Sequence, residues 1–464
     1  MYALIVGYVP PVLATSALNQ DSRILTGEQI LRRWHVHRRS VRTAVVGLAA
    51  VAALTLAACG SKSTDSGSTT SAAATAGSGS AAASGSAAAS GGASGGSLSI
   101  QPLKQITPEG QDVTAGAATN AVLPAGNGQA KCAAGSSIAM AGALTGPNAA
   151  LGINIRNGAK LAIDQFNAAN AGCQLTLKEF DTEGDPQKAT QVAPQIVGDA
   201  SVIGLLGPAF SGETKATGPI FNQAGLISVT ASATNPALTT NGWTNFFRGL
   251  GNDNSQGGAT ANWLTKQEGY GKVCVVRDNT DYGVGLAEVV TETLGSAADG
   301  SCAVDVKTGD KDFTAGIQLI TTAAPDAVYY AGYYAEAAPF VQQLRDAGYT
   351  GPFVSGDGVN DPQFVAQAGQ ASAGAILTCP CGPAPDQFAS QYQQAFNIAP
   401  GVYSVDAYDL ATIMVTGISS GQVTDRASLI KYFSTYDGEG LAKTYKWDSS
   451  GELAVANPWL YEVK

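Results

Sequence analysis

From residue 131 to residue 464, short β-rich runs alternate with amphipathic ones, and this alternation leaves the chain few architectures to adopt. Residues 136–142 are followed by 155–170, where Ile155, Ala159, Ala162, Ile163 and Phe166 recur at helical spacing. Residues 175–180 lead to a helix over 187–197, and 202–206 to a helix from Glu213. A second series opens at 272–276 and continues through a helix at 286–294, then 304–306 and 313–322. It passes on to 327–330, a helix over 335–347, 353–355 and 375–377. Strands joined through helices by connections this short predict an α/β fold with parallel sheets and helices on both faces. These 334 residues exceed what one core covers, so two Rossmann-like lobes are expected.

What precedes them is of another kind. Arg32, Arg33, Arg38, Arg39 and Arg42 are followed by an uncharged apolar run over 45–58, ending in Leu56-Ala57-Ala58-Cys59. That order reads as a bacterial lipoprotein signal, too short to span a bilayer and cleaved so that Cys59 becomes the lipidated first residue. Residues 1–58 are thus an N-terminal extension and signal peptide. Residues 59–97, rich in Ser, Gly and Ala, bury too little apolar surface to order and act as a tether whose ends lie on the order of 35 Å apart. Residues 98–130 are expected to form an irregular extension. The reading places the protein outside the cell, lipid-anchored to the outer face of the cytoplasmic membrane.

Charge and residue usage exclude several chemistries. Both histidines, His35 and His37, fall in the leader, so the mature chain lacks the commonest general base and metal ligand. Without the leader the net charge moves from −10 to −14, which argues against nucleic acid as a partner. Ser211 lacks a Gly-x-Ser-x-Gly elbow, no Walker A sequence occurs, and Gly283-Val-Gly285 has no third glycine. The run 278–283 resembles a calcium loop but has Thr280, Tyr282 and Val289 where the cage needs oxygen ligands. No cofactor, no metal and no enzymatic activity are expected.

In parallel sheets, ligands bind beyond the carboxyl ends of the strands. There the sequence places the loops 141–147, 207–212 and 230–236, whose small hydroxyl residues and free N–H groups suit an anion. From the other series come Tyr282, Tyr333 and Asp357, each just past a strand. An acid facing an anion cradle suits a ligand with both an ammonium and a carboxylate. Taken singly, Ser211 and Thr234 could equally cap helices and Asp357 could equally be a turn residue.

The order of Leu144-Thr-Gly-Pro147, Asn157-Gly158, Asp181, Asp185-Pro186, Ser211, Ser232-Ala-Thr234, Phe247-Arg248, Asp253, Gln256-Gly257, Tyr282-Gly283, Gly332-Tyr333 and Asp357 resembles the leucine/isoleucine/valine-binding proteins of ABC uptake systems. The resemblance covers residues 131–464 and implies a type I periplasmic-binding-protein fold, its lobes joined by three crossovers. Lobe 1 would comprise 131–251 plus 383–440, and lobe 2 would comprise 252–378 plus 447–464. It implies that Ser211 and Thr234 bind the ligand carboxylate with backbone at Ser232 and Ala233, while Tyr282, Tyr333 and Asp357 form the opposite wall and Asp357 pairs the ammonium. Relatives usually carry Glu there, so Asp357 is one methylene shorter. Leu151 and Tyr403 match positions that shape the side-chain pocket. The function implied is capture of an amino acid, branched-chain or otherwise aliphatic, by a monomer that delivers it to ABC permease subunits served by a separate ATPase. The alternatives are a receptor for an amide, short peptide or aromatic acid, and a ligand sensor for a membrane signalling partner.

Six cysteines remain beyond Cys59, an even number that fits an oxidising compartment. Cys132 and Cys173 each precede a strand of the first lobe, and Cys274 and Cys302 fall similarly in the second. Cys379-Pro-Cys381 closes a small ring if paired, and structural pairing is expected there over a redox or metal role.

Overall fold

The computed structural model describes residues 97–464 apart from 115, 117–119 and 456. The leader, Cys59 and nearly all of the tether lie outside the described residues.

Two sheets organise the chain. The first has five parallel strands in the order Thr176–Asp181, Ser137–Gly142, Val202–Leu206, Ser228–Thr230 and Phe246–Arg248. Ser137–Gly142 is buried along its whole length, as a central parallel strand covered on both faces must be. The second sheet carries Ile376–Cys379, Phe353–Ser355, Ala327–Ala331, Val273–Asp278 and Val304–Val306 in parallel. The C-terminal strand Trp459–Val463 joins it antiparallel to Ile376–Cys379. The sequence-predicted strands and helices all form. The first helix, Ala149–Ala169, begins one and a half turns before the periodic pattern because Ala149 and Ala150 add no apolar signal of their own.

Residues 98–130 depart from expectation. Ile100–Ile106 is a strand paired antiparallel with Trp459–Val463, from Ile100 opposite Val463 to Gln105 opposite Trp459. The register shifts between Pro102 and Lys104, where an irregular ladder accommodates a residue without an N–H. The segment then reaches the other half, where Asn170 Nδ2 donates to the Ala125 carbonyl and Ala130 N donates to Asn170 Oδ1. A local reading missed this strand because its partner lies more than 350 residues away.

Disulfides join Cys132 to Cys173, Cys274 to Cys302 and Cys379 to Cys381. Among the described residues no helix is long and apolar enough to cross a membrane.

Candidate functional site

The carboxyl ends of the two sheets face each other across a cleft, and helix starts bring side chains into it. Leu151 lies in the first turn of Ala149–Ala169, and Tyr282 in that of Asp281–Leu294. Tyr333 precedes Tyr334–Asp346, and Tyr403 precedes Ser404–Ser419. Tyr403 holds φ at +66°, a left-handed conformation uncommon for a bulky residue. Leu151, Ala209, Phe210, Ser232, Tyr282, Tyr333, Asp357 and Tyr403 enclose a cavity of about 10 Å³. That is about the room of a single water. No lysine or arginine lines it.

Asp357 is its polar centre. The residue is 1 % exposed, and its Oδ1 accepts from the Tyr282 hydroxyl at 2.6 Å and from Gln256 Nε2 at 2.9 Å. Oδ2 accepts from the Tyr403 hydroxyl at 2.7 Å. The glycines on either side make this crowding possible. A Cβ on Gly356 would stand 2.6 Å from both Gln256 Nε2 and the Tyr282 oxygen. Burial raises the Asp357 pKa above the ordinary carboxylate value, and the hydrogen bonds from Tyr282, Tyr403 and Gln256 act against that rise. Asp253, one helical turn before Gln256, is pushed well above its ordinary value by burial and then by the nearby Asp357. Two buried acids thus stand close together at the cleft.

The opposite wall is less open than the sequence suggests. Ser232 lines the cavity, but its hydroxyl donates to the Ala209 carbonyl. The backbone N–H groups of Ser232 and Ala233 are directed to Thr230 Oγ1, at 3.3 and 2.9 Å. Ser211 Oγ accepts from Asn235 N at 3.2 Å. Ser211, Ala233 and Thr234 are buried just behind the cavity wall rather than on it. Tyr403, expected to help shape the side-chain pocket, lines the cavity and also donates its hydroxyl to Asp357. Sequence reasoning missed Ala209, Phe210 and Gln256. Phe210 sits in the glycine-bounded loop already singled out, and its ring meets Tyr333 edge-on across the cleft with centroids 5.1 Å apart.

A sequence profile describing periplasmic binding proteins matches residues 136–464. The chain is 31 % identical over 332 residues to a leucine-, isoleucine-, valine-, threonine- and alanine-binding protein of Pseudomonas aeruginosa, covering 70 % of this chain and 89 % of that one.

The chain belongs to the leucine/isoleucine/valine-binding branch of the periplasmic binding proteins.

Among solved relatives of this binding protein is the branched-chain amino acid transporter substrate-binding protein of Streptococcus pneumoniae in complex with isoleucine. It is 26 % identical, with a TM-score of 0.65, covering 71 % of this chain and 99 % of that one. A leucine-binding protein from Thermotoga maritima, 24 % identical with a TM-score of 0.65, covers 71 % of this chain and 97 % of its own and shares the fold. The type I fold expected from the resemblance is the one found. The strand Ile100–Ile106 lies before the matched residues.

Proposed function

We propose that this binding protein captures an aliphatic amino acid, most simply a branched-chain one, outside the cell and presents it to the permease of an ABC uptake system. It does so as a monomeric, non-enzymatic lipoprotein held to the membrane through Cys59, with ATP hydrolysis left to a separate subunit. The observation that carries this reading is the buried Asp357 in a small cavity whose other walls are apolar or aromatic. An ammonium settles against the carboxylate while Leu151, Ala209 and Phe210 cover a short aliphatic side chain. The hydroxyls of Ser211 and Thr234, the latter buried without a hydrogen-bond partner, would bind the ligand carboxylate with help from backbone at Ser232 and Ala233.

One observation favours a second reading. Asp357 already accepts three hydrogen bonds, so a ligand lacking an ammonium, such as an aromatic acid, leaves it satisfied. A thermal-shift screen of the chain from residue 60, against the twenty amino acids, common amides and aromatic acids, decides between them. A ligand at 100 times its Kd adds about 2.7 kcal/mol of stability. A rise in midpoint with leucine, isoleucine or valine is expected. Silence across the amino acids with a response to an aromatic acid would overturn the ligand and keep the fold.

A further inference from the structure

Outside the ligand cavity the two halves touch at several points, and these contacts are unequal. At one edge Lys215 Nζ meets Asp281 Oδ1 at 2.6 Å, with the lysine side chain 63 % exposed. A pair so exposed contributes between nothing and about 1 kcal/mol. At another point Asn154, on the helix Ala149–Ala169, donates from Nδ2 to Asp361 Oδ2 at 2.8 Å. Asp361 heads the helix Pro362–Ala368 of the other half and also accepts from Gln363 N at 2.9 Å. Asn154 is 6 % exposed and Asp361 is 2 % exposed. Neither lines the ligand cavity.

The surroundings are fitted to this bond. A Cβ on Gly401 would stand 2.3 Å from Asn154 Nδ2, so only glycine leaves room for the amide. Beside it the Tyr334 hydroxyl accepts from Ala150 N at 3.3 Å, a second bond between the same two helical layers. Burial holds the Asp361 pKa above its ordinary value, and the bonds from Gln363 and Asn154 counter that rise.

We propose that the Asn154–Asp361 hydrogen bond is a latch that forms only when the lobes close and sets how long the bound ligand is retained. Residues 207 positions apart on opposite halves cannot keep a 2.8 Å bond through a hinge opening. When the cleft opens, water takes Asn154's place on Asp361. When it closes, the carboxylate is dry and depends on that amide, so losing it costs more than losing a solvated pair. The exposed Lys215–Asp281 pair has no such leverage.

The proposal rests on the amino-acid reading above, and its test separates the two. Dissociation constants and dissociation rates for leucine, isoleucine and valine are measured on the chain from residue 60 and on Asn154→Ala, Asp361→Ala, the double variant, Asp361→Asn and Lys215→Ala. Thermal midpoints without ligand are recorded for each. Asn154→Ala is expected to weaken binding by about tenfold or more, nearly all of it through faster dissociation. The double variant should be no worse than the poorer single one. Asp361→Asn, which keeps the accepting oxygen, should restore most of the affinity, and Lys215→Ala should change it less than about threefold. Gly401→Ala should reproduce Asn154→Ala. Independent effects of the two single variants on affinity, or equal losses in affinity and unliganded stability, would overturn the latch. If the unsubstituted protein binds none of these amino acids, it is the amino-acid reading that fails. The same double-variant cycle is then read on dissociation of the amide or aromatic acid that raises the thermal midpoint, where additive effects overturn the latch and coupling upholds it.

Discussion

At the scale of single residues, the candidate site turns on how one carboxylate is held. Asp357 is held between Tyr282, Tyr403 and Gln256, each of which donates to it. Asp357→Ala leaves two buried hydroxyls and an amide without their acceptor and removes the charge that an ammonium would meet. Titration calorimetry with the best-bound amino acid is expected to show affinity lowered by about tenfold or more, with the unliganded protein still folded but melting at a lower midpoint. Unchanged affinity would remove Asp357 from the site. The sequence made Asp357, Tyr282 and Tyr333 legible because each follows a strand end, where α/β sheets bind ligands. Gln256 was not legible as a site residue, since it reaches Asp357 from a helix about a hundred positions earlier. The engagement of the Ser232 and Ala233 N–H groups by Thr230 was likewise beyond reach, because a hydroxyl's choice of partner depends on backbone angles that residue types do not fix.

At the scale of elements, the helix Ser211–Gln223 shows what burial costs. Glu213 accepts from Phe210 N at 3.1 Å, which caps the helix start and steadies the loop carrying Phe210 into the cleft. The residue is fully buried, and burial raises its pKa from 4.5 to about 7. The folded state thus holds a proton that the unfolded chain releases. The associated stability is complete below pH 4.5 and is lost as pH rises to about 7, by up to roughly 3 kcal/mol. Glu213→Gln should flatten that part of the pH dependence when denaturant midpoints are compared at pH 5 and pH 8. An undiminished slope would place the titration elsewhere. The strand Ile100–Ile106 makes a second prediction at this scale. It covers the outer edge of Trp459–Val463, so deleting residues 97–113 bares a row of unpaired backbone groups. Light scattering and thermal melts should show association and a lower midpoint. The alternation of strands and helices was legible throughout 131–464 because its periodicity is local. This edge strand was not, because only a distant partner makes it one.

At the scale of the molecule, buried acids and surface acids act in different pH ranges. Besides Glu213, burial raises Asp409 to about 7 and Asp278 to about 6, and lifts Asp253, Asp361 and Asp406 above their ordinary values. Several of these groups lie at or between the two halves, where polar side chains must be enclosed if the lobes are to part and meet again. The acids held below their ordinary value, among them Asp181, Asp199, Asp299, Asp312, Asp425 and Asp448, sit at the surface on hydroxyls, backbone N–H groups or a lysine. Their contribution is present above pH 3.8 and disappears only below it. Between pH 8 and pH 5 Glu213, Asp409 and Asp278 titrate, each taking up its proton more readily in the folded state than in the unfolded one. Acidification over that interval also lessens the self-repulsion of a chain with net charge −10. The thermal midpoint of the unliganded protein should therefore climb as pH falls from 8 to 5 and turn down only below about pH 4. A midpoint that is flat or falls across the upper interval would mean that these carboxyls are hydrated and ionised in the folded protein.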